Sequence, residues 1–278
     1  MNQQPQSWLD RGLRSLAHRT THGIALLWGQ RLGFWYVTEF PKSGGTWVGR
    51  MLGDSLGLPF PQASRMPIAM PAVVHNHWSY NHRLKRVVYV YRDGRDALVS
   101  LFFHRLYLDR PHRRGPYGLR RARRQDPDAV DVRRALPAFL TLEFQRPSAT
   151  SLPWNEHVMC WLGDREGVAA VSYEGLLADP EAEMATVLRA LGVSVEEARL
   201  RESIARHTFE RLSGRPRGQE DRRSFLRKGE PGDWRTYFTR EAAEVFASFA
   251  GSTLQALGYE RDSSWVSACA PLERETGR

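Results

Sequence analysis

The chain has 278 residues, of which 41% are hydrophobic and 11% aromatic, and its formal charge is +9. This length and apolar content are sufficient for one α/β domain with a full core. The two cysteines, Cys160 and Cys269, are too few for a disulfide framework or a cysteine metal site, and they fit a reducing cytoplasm. The positive charge is compatible with phosphates, sulfates and polyanions as partners, but it does not identify a substrate.

The first apolar segment of the chain is short. The run from Gly23 to Trp28 is well below the roughly 20 apolar residues of a spanning helix and below the apolar centre of a signal peptide, about 7–15 residues. Neither a transmembrane segment nor a signal peptide is therefore predicted. The spacing predicts an amphipathic helix over residues 8–32, with four residues on one face: Trp8, Leu13, Leu16 and Ala17. Packing on the core and peripheral contact with a membrane surface would each account for such a face.

Three segments further along show the order strand, turn, helix. The strands are predicted at 34–38, 86–91 and 168–172, which are rich in β-branched or aromatic residues. Apolar residues at helical spacing follow each turn. Strands that alternate with helices predict an α/β fold with a mostly parallel sheet covered on both faces. Ligands bind such sheets at the carboxyl ends of the strands, where the three turns fall.

A strongly basic segment separates the second and third predicted strands. Residues 105–134 contain ten arginines and four aspartates. We predict a mobile basic loop here. A solvated run of charges and a loop that recruits an acidic acceptor or an anionic lipid surface are both consistent with this composition.

The first turn has the composition of a phosphate cradle. Gly44 and Gly45 allow backbone N–H groups to approach a phosphate, and the positive end of the next helix points to the same place. The turn is not a Walker A loop, because its lysine, Lys42, precedes the glycines. Taken alone, the pattern would also suit a tight strand-to-helix connection without a ligand.

Three motifs resemble those of the cytosolic-type sulfotransferases. Residues 41–47 read PKSGGTW and are similar to the family's 5′-phosphosulfate loop, PKSGTTW. Residues 91–100, YRDGRDALVS, resemble its 3′-phosphate motif, in which an arginine and a serine eight residues later hold that phosphate. Residues 225–234, FLRKGEPGDW, are similar to its late RKGxxGDW signature. With weaker similarities at 154–161, 172–174 and 207–210, the resemblance covers roughly residues 34–245.

The resemblance implies a P-loop-NTPase-like, three-layer fold with a central, mostly parallel sheet flanked by helices. It also implies transfer of the sulfonate of 3′-phosphoadenosine 5′-phosphosulfate (PAPS) to a hydroxyl or amine, with release of 3′-phosphoadenosine 5′-phosphate (PAP). Arginine, lysine and backbone amides suit the two phosphates of such a donor. The implied donor-binding residues are Lys42, Ser43, Gly44, Gly45 and Thr46 on the 5′ side, Arg92, Ser100, Arg227, Lys228 and Gly229 at the 3′-phosphate, and Trp47 and Tyr173 beside the adenine.

The family's catalytic histidine follows a lysine and a threonine just before the second of the predicted strands. Here the corresponding residues 74–78 read VHNHW, so the resemblance implies His77 as the general base, with Lys42 as a second catalytic residue. His75 stands where the family has lysine and is the alternative base. With His82 it adds to a local histidine group, but no carboxylate or cysteine accompanies these residues at ligand spacing, so no metal is predicted.

These inferences divide the chain into an N-terminal helical extension (1–33), a sulfotransferase domain (34–258) and a C-terminal tail (259–278). The expected acceptor is a small molecule or lipid, the expected location is the cytoplasm, and no nucleic acid is expected. Six aromatic residues are candidates for an apolar acceptor slot: Trp78, Tyr80, Phe102, Phe103, Tyr107 and Phe144. The family's dimer segment matches only in part at 235–244, so the sequence does not give the oligomeric state.

Two other functions would explain part of this sequence. A small-molecule kinase would share the architecture, but the lysine precedes the glycines and the sequence shows no clear Walker-type magnesium aspartate. A non-catalytic anion-binding or nucleic-acid-binding protein would use the arginine segment, but would leave the three motifs unexplained.

Overall fold

The computed structural model describes residues 8–62, 64–108 and 126–272. They fall into two compact units. The sheet unit contains the described residues of 1–39, 44–90 and 161–207, and the helical unit those of 40–43, 91–160 and 208–278. The helices and strands along the chain are α1 (Trp8–Trp28), β1 (Trp35–Glu39), α2 (Gly45–Leu56), β2 (Val73–Asn76), β3 (Val87–Tyr91), α3 (Gly94–Phe103), α4 (Val132–Gln145), α5 (Trp154–Trp161), β4 (Val168–Ser172), α6 (Tyr173–Ala178), α7 (Pro180–Ala190), α8 (Glu197–Arg206), α9 (Phe209–Ser213), α10 (Trp234–Tyr237), α11 (Arg240–Ala256) and α12 (Ser264–Ala268).

The four strands form one sheet in the order β2-β1-β3-β4. β1 pairs in parallel with both β2 and β3, with Val37 opposite His75 on one side and Val88 on the other. The predicted α/β fold with a mostly parallel central sheet is confirmed. Strand β2 was not predicted. Its four residues end in His75 and Asn76, so the strand lacks a continuous apolar run.

The core of the sheet unit lies between the sheet and its helices. Val37 and Val88 are fully buried in the sheet, and Met51 and Leu52 of α2 are fully buried against the same cluster. Leu188 of α7 belongs to it as well. This packing fixes the ends of β1 and β2 and the start of α2, from which the candidate site is built.

Helix α1 packs through small side chains. Ala17 and Ala25 are buried, whereas Leu13 and Leu16 are 52% and 63% exposed. Of the predicted face, Ala17 packs on the protein and Leu13 and Leu16 do not, so core packing does not account for the two leucines. The side chain of Trp8, the fourth predicted member, lies outside the described part of the chain.

The helical unit is held together by aromatic packing. α3 begins at Gly94 because the Asp93 side chain accepts a hydrogen bond from the Arg95 amide (2.9 Å). α4 and α11 contact each other through Phe144 and Phe246, whose ring centroids are 5.4 Å apart. This packing holds α3, which carries part of the second motif.

The predicted basic loop, 105–134, is only partly described, since 109–125 lie outside the described residues. Before them, His104–Leu108 form a π-helical turn that continues α3. After them, the Asp131 side chain caps α4 by accepting hydrogen bonds from the amides of Arg133 and Arg134. Both described flanks therefore contain helical structure, and the mobility of the segment stays a prediction.

Candidate functional site

The turn between β1 and α2 requires glycine at two positions. Gly44 has a φ angle of +104°, in the left-handed region, and is the N-cap of α2. A Cβ atom on Gly44 would lie 2.7 Å from the ring of Tyr173, and one on Gly45 would lie 2.7 Å from the carboxyl carbon of Glu39. Any side chain at either position would displace a neighbour, which explains the two glycines physically.

The start of α2 has the properties of an anion site. The N-cap Gly44 has no side chain to cap α2, and the positive end of the helix dipole lies at this turn together with Thr46. Two amides of the first turn are already engaged, since Gly45 donates to the Glu39 carboxylate and Trp47 to the Gly44 carbonyl oxygen. Ser43 is fully buried, and its hydroxyl has no hydrogen-bond partner among the described residues. Burial of such a hydroxyl is unfavourable. A phosphate oxygen bound at this turn would satisfy it.

Lys42 is held in an unusual conformation. Its φ angle is +76°, which costs energy for a residue with a Cβ atom. Its ammonium group donates a hydrogen bond to the carbonyl oxygen of Phe225 (3.1 Å) and lies 3.7 Å from the centroid of the Phe225 ring. The structure therefore brings the lysine of the first motif to the beginning of the third.

His77 and His75 both contact Glu39, the last residue of β1. Nδ1 of His77 lies 3.0 Å from the carbonyl oxygen of Glu39. Because a carbonyl can only accept, Nδ1 carries the proton in the neutral ring, and Nε2 is the nitrogen that can accept one. Nε2 of His75 lies 3.0 Å from the Glu39 carboxylate, and the two imidazole centroids are 4.9 Å apart.

Glu39 places a buried negative charge beside this turn. Burial by itself would raise the pKa of its carboxyl group. The hydrogen bond and charge of His75, the charge of His77 and the amide of Gly45 outweigh burial and hold the pKa below its usual value. The carboxylate accepts from the Gly45 N–H at 2.5 Å. An ionised group here would repel an anionic ligand, and the pairing with His75 offsets that repulsion.

The same three residues form a candidate metal cluster. Ligand atoms of Glu39, His75 and His77 all lie within 4.8 Å of one another. No carboxylate lies at ligand spacing from the histidines in the sequence, and Glu39 joins them only in the folded protein. Glu39 precedes His75 by 36 residues and meets it only through the parallel pairing of β1 with β2. His82 does not belong to the cluster.

Arg92 follows β3 and connects two of the motifs. Its guanidinium group is buried and donates to the carbonyl oxygens of Lys42 (3.2 Å) and Glu230 (3.1 Å). Ser100 is buried two turns along α3. Within the helical unit, Arg92 therefore contacts the first and third motifs directly.

Asp96 was not predicted as a site residue, although it lies in the second motif. Its carboxylate accepts hydrogen bonds from the amides of Gly232 (2.5 Å) and Trp234 (2.8 Å). Asp96 is buried, and burial is the main reason that its pKa is raised. It fixes the end of the third motif to α3. Its partners are 136 and 138 residues later in the chain, so no local pattern indicated this role.

The two basic residues of the third motif are already engaged. Arg227 donates to Glu220 and to Asp233 (2.5 Å), and Lys228 donates to the other oxygen of Asp233 (2.7 Å). Burial alone would raise the pKa of Asp233, but Arg227 and Lys228 lower it below its usual value. A phosphate bound by either cation would therefore compete with Asp233.

Gly229 lies directly after this basic pair. Its φ angle is +76°, and an added Cβ atom would come within 2.5 Å of the Phe209 ring. Only glycine fits there. Phe209, whose ring Gly229 contacts, lies in the segment 207–210 that is weakly similar to the family.

Trp47 and Tyr173 lie together. Tyr173 is the first residue of α6, directly after β4. Its ring meets that of Trp47 edge to face, with 6.1 Å between centroids and 75° between planes. Because the two rings touch, an adenine ring cannot fit between them. The adenine can stack on the outer face of one ring, or between the two rings if they move apart.

Four of the six aromatic residues predicted for the acceptor slot are core residues, and one of them, Trp78, is 8% exposed. Phe102, Phe103 and Phe144 are at most 6% exposed. Phe102 packs on Phe139 with a centroid distance of 5.2 Å, and Phe103 packs on Tyr237 at 5.1 Å. These three rings therefore do not line an open slot.

The sequence profile described as the sulfotransferase domain matches residues 60–258. The matched span contains His77, Arg92 and the third motif, and it begins after the turn at 41–47. It covers well over half of the chain.

Several curated proteins are similar to this chain over long stretches. Human Sulfotransferase 1C2 is 23% identical over 201 residues, which cover 68% of this chain and 60% of that protein. Mouse Sulfotransferase 2B1 is 28% identical over 175 residues, or 59% and 46% of the two chains. Sulfotransferase 1A1 of Canis lupus familiaris is 25% identical over 268 residues, or 80% and 83%. The chain thus spans less than two thirds of the first two relatives.

Solved structures share the fold. The mouse sulfotransferase SULT7A1 complexed with PAP superimposes with a TM-score of 0.63 at 17% identity, over 91% of this chain and 94% of that one. Retinol dehydratase in a complex with retinol and PAP gives 0.59 at 18% identity, over 85% and 86%. These likenesses confirm the predicted P-loop-like fold.

Proposed function

Because this chain belongs to the sulfotransferase family, we propose that it transfers the sulfonate of PAPS to a hydroxyl or amine of an acceptor and releases PAP. The observation that carries the proposal is the orientation of His77. Its Nδ1 proton is directed at the Glu39 carbonyl oxygen, 3.0 Å away, and Nε2 is left as the basic nitrogen. An imidazole oriented in this way directly after the end of β2 is suited to general-base catalysis when its ring is deprotonated.

In the proposed step, Nε2 of His77 takes the acceptor proton while the acceptor oxygen or nitrogen attacks sulfur. The new bond to sulfur forms as the bond from sulfur to the bridging oxygen of the 5′-phosphate breaks, and that oxygen keeps the electron pair. The carbonyl of Glu39 accepts from Nδ1 throughout and so stabilises the imidazolium that forms.

Lys42 is proposed to offset the negative charge that develops on the departing nucleotide. Its ammonium group now contacts Phe225. A cation–π contact and one hydrogen bond to an uncharged carbonyl oxygen are weaker than an ion pair of the ammonium group with phosphate. Donor binding is therefore expected to turn the lysine from Phe225 to the phosphate.

The proposed donor contacts follow the three motifs. On the 5′ side, the hydroxyl of Ser43 has no other partner among the described residues, and the start of α2 supplies a positive dipole end. At the 3′-phosphate, Arg92 is buried and is the main proposed contact. The full proposed set is Lys42, Ser43, Gly44, Gly45, Thr46, Trp47, Arg92, Ser100, Tyr173, Arg227, Lys228 and Gly229.

Arg227 and Lys228 are proposed to bind the same phosphate in exchange for part of their contact with Asp233. Lys228 is the more exposed of the two, and Arg227 keeps a second carboxylate partner, Glu220. Phosphate binding should then weaken the pairing of Lys228 first. Trp47 and Tyr173 are proposed to stack on the adenine from the outer face of their contact or after separation.

We propose that the reaction needs no metal. Both carboxylate oxygens of Glu39 already accept hydrogen bonds, one from His75 and one from Gly45. A metal ion at Glu39, His75 and His77 would break these bonds and occupy the proposed base. Turnover should therefore be unchanged by a chelator and reduced by added zinc.

The acceptor is proposed to be a small molecule or lipid, and the protein is proposed to act in the cytoplasm. To test the activity, the protein is incubated with PAPS, a chelator and a panel of alcohols, phenols, amines and lipids. Mass spectrometry should show one added sulfonate on an acceptor, with an equal amount of PAP. Phosphorylated products from the same panel with ATP and magnesium, and none with PAPS, would overturn the proposal in favour of a kinase.

A further inference from the structure

In the described part of the chain, most of the large exposed apolar side chains lie on two adjoining segments of the sheet unit. Of the nine large hydrophobic residues that are exposed in the described part of the chain, six lie on α1 and the segment 64–71. Their exposed fractions run from 50% to 74%, and the six residues are Leu13, Leu16, Leu27, Trp28, Met66 and Met70. Single exposed hydrophobic residues are ordinary, but a group of this kind indicates an interaction surface.

The leucines form a stripe along α1. Leu13, Leu16 and Leu27 recur at helical spacing and lie on one side of the helix, whereas the buried Ala17 and Ala25 lie on another. The stripe therefore does not take part in the packing of α1 on the protein.

The segment 64–71 lies alongside this helix. The amide of Ile68 donates to the hydroxyl of Thr21 on α1 at 3.0 Å. Met66 and Met70, on either side of Ile68, are 74% and 57% exposed. The helix and the segment thus present their apolar side chains from adjoining parts of one unit.

The charge of this surface is mainly positive, and the one acidic residue that lines the cavity at its edge, Glu166, is paired with Lys85. Residues 12–31 and 64–71 contain four arginines, Arg14, Arg19, Arg31 and Arg65, and no aspartate or glutamate. At the end of α1, Arg31 and Arg83 line a cavity of about 510 Å³ beside Trp28. A helix that lies in the headgroup region of an anionic bilayer typically has this composition, with leucine, methionine and tryptophan next to arginine.

We propose that α1 and the segment 64–71 dock on the surface of an anionic lipid bilayer. None of the described helices is both long and apolar enough to cross a membrane, so α1 would lie on the bilayer. A second copy of the chain fits this surface less well. A two-fold contact through residues 12–31 and 64–71 would bring the arginines of one copy against those of the other, and these two ranges contain no acidic residue to pair them.

The test is sedimentation of the full chain with vesicles of phosphatidylcholine, alone or mixed with phosphatidylserine. The wild type should bind the mixed vesicles at least about tenfold more strongly, since each basic residue near an anionic surface contributes about fivefold. Equal binding to both vesicles, or no binding to the mixed ones, would overturn the proposal.

Two variants test the two components of the surface. Leu13→Ser/Leu16→Ser/Leu27→Ser should lose about tenfold or more in binding, whereas Met159→Ser, at a residue that is 46% exposed in the helical unit, should not. Arg19→Gln/Arg31→Gln should lose about 25-fold, whereas Arg189→Gln/Arg261→Gln, which removes the same charge at other exposed positions, should lose far less.

Circular dichroism and thermal unfolding must show that each variant is folded. If the triple leucine variant binds like the wild type, the proposed surface is wrong. If the wild type is dimeric by light scattering and the same variant is monomeric, the surface joins two copies and the lipid proposal falls. None of these measurements depends on catalytic activity.

Discussion

Nδ1 of His77 lies 3.0 Å from the main-chain carbonyl oxygen of Glu39, at the end of the neighbouring strand. This contact orients the proposed base independently of any side-chain partner. The variant His77→Ala should therefore keep its affinity for PAP and lose about 10²–10⁴-fold in kcat, the usual contribution of a positioned base. Calorimetry with PAP and single-turnover kinetics with PAPS separate the two effects.

The variant His75→Ala is the companion measurement. It removes the partner of the Glu39 carboxylate and leaves the His77 contact in place. We expect it to weaken PAP binding, because an uncompensated carboxylate then lies beside the phosphate turn. If His75→Ala abolishes turnover while His77→Ala stays near wild type, the base is His75.

A second prediction concerns the space around Gly44. An alanine there would meet the Tyr173 ring at 2.7 Å. Gly163 is a matched control, since its φ angle is +111°, close to the +104° of Gly44, but nothing lies within 4 Å of an added Cβ atom. Both alanine variants should lose about 1–2 kcal/mol of stability from backbone strain. Only Gly44→Ala should also lose at least about tenfold in PAP affinity, or ~1.4 kcal/mol, and an equal loss in both would contradict the account.

A third prediction follows from the lowered pKa of Glu39. A carboxyl group with a depressed pKa in the folded state stabilises the protein above its unfolded pKa, about 4.3 for glutamate. That stability disappears as the pH falls through the folded pKa. Urea unfolding should therefore show the wild type more stable than Glu39→Gln near pH 7, with a difference that shrinks from about pH 5 towards pH 3. A difference that does not change with pH would mean that Glu39 is not ionised in the folded protein.

A fourth prediction concerns Arg92, which donates to the carbonyl oxygens of Lys42 and Glu230. Arg92→Ala should raise the Kd for PAP by about 10–100-fold, since a bond to a charged group contributes roughly 1.5–3 kcal/mol. Arg92→Lys should recover part of the lost affinity because it keeps the positive charge, but a lysine cannot form the bidentate hydrogen bonds of a guanidinium group. The thermal midpoint without ligand checks the fold, and an unchanged Kd for Arg92→Ala would remove the residue from the site.

The strands and turns were predictable where the signal is local. β1, β3 and β4 are runs of apolar residues followed by turns, and the structure has all three near the predicted positions. β2 was missed because two of its four residues are His75 and Asn76. The sequence left two roles open for the apolar face of α1, because helical spacing defines stripes but does not determine which of them faces the protein, and here the alanines do.

The site was less predictable where it depends on distant contacts. Glu39 meets His75 only through the pairing of β1 with β2, and Asp96 holds the amides of Gly232 and Trp234 from another part of the chain. The engagement of Lys228 with Asp233 is likewise a property of the folded loop. A motif match names residue types in order, but it does not show which of its charges are already paired.

The most direct test of PAPS as the donor is the affinity of the wild type for PAP compared with adenosine 5′-monophosphate, measured by titration calorimetry. The two nucleotides differ only in the 3′-phosphate. The residues proposed to bind this phosphate are Arg92, Ser100, Arg227, Lys228 and Gly229. Two or more charge-assisted bonds of roughly 1.5–3 kcal/mol each should make PAP bind at least about 10²-fold more tightly. Equal affinities would contradict the assignment of PAPS as the donor.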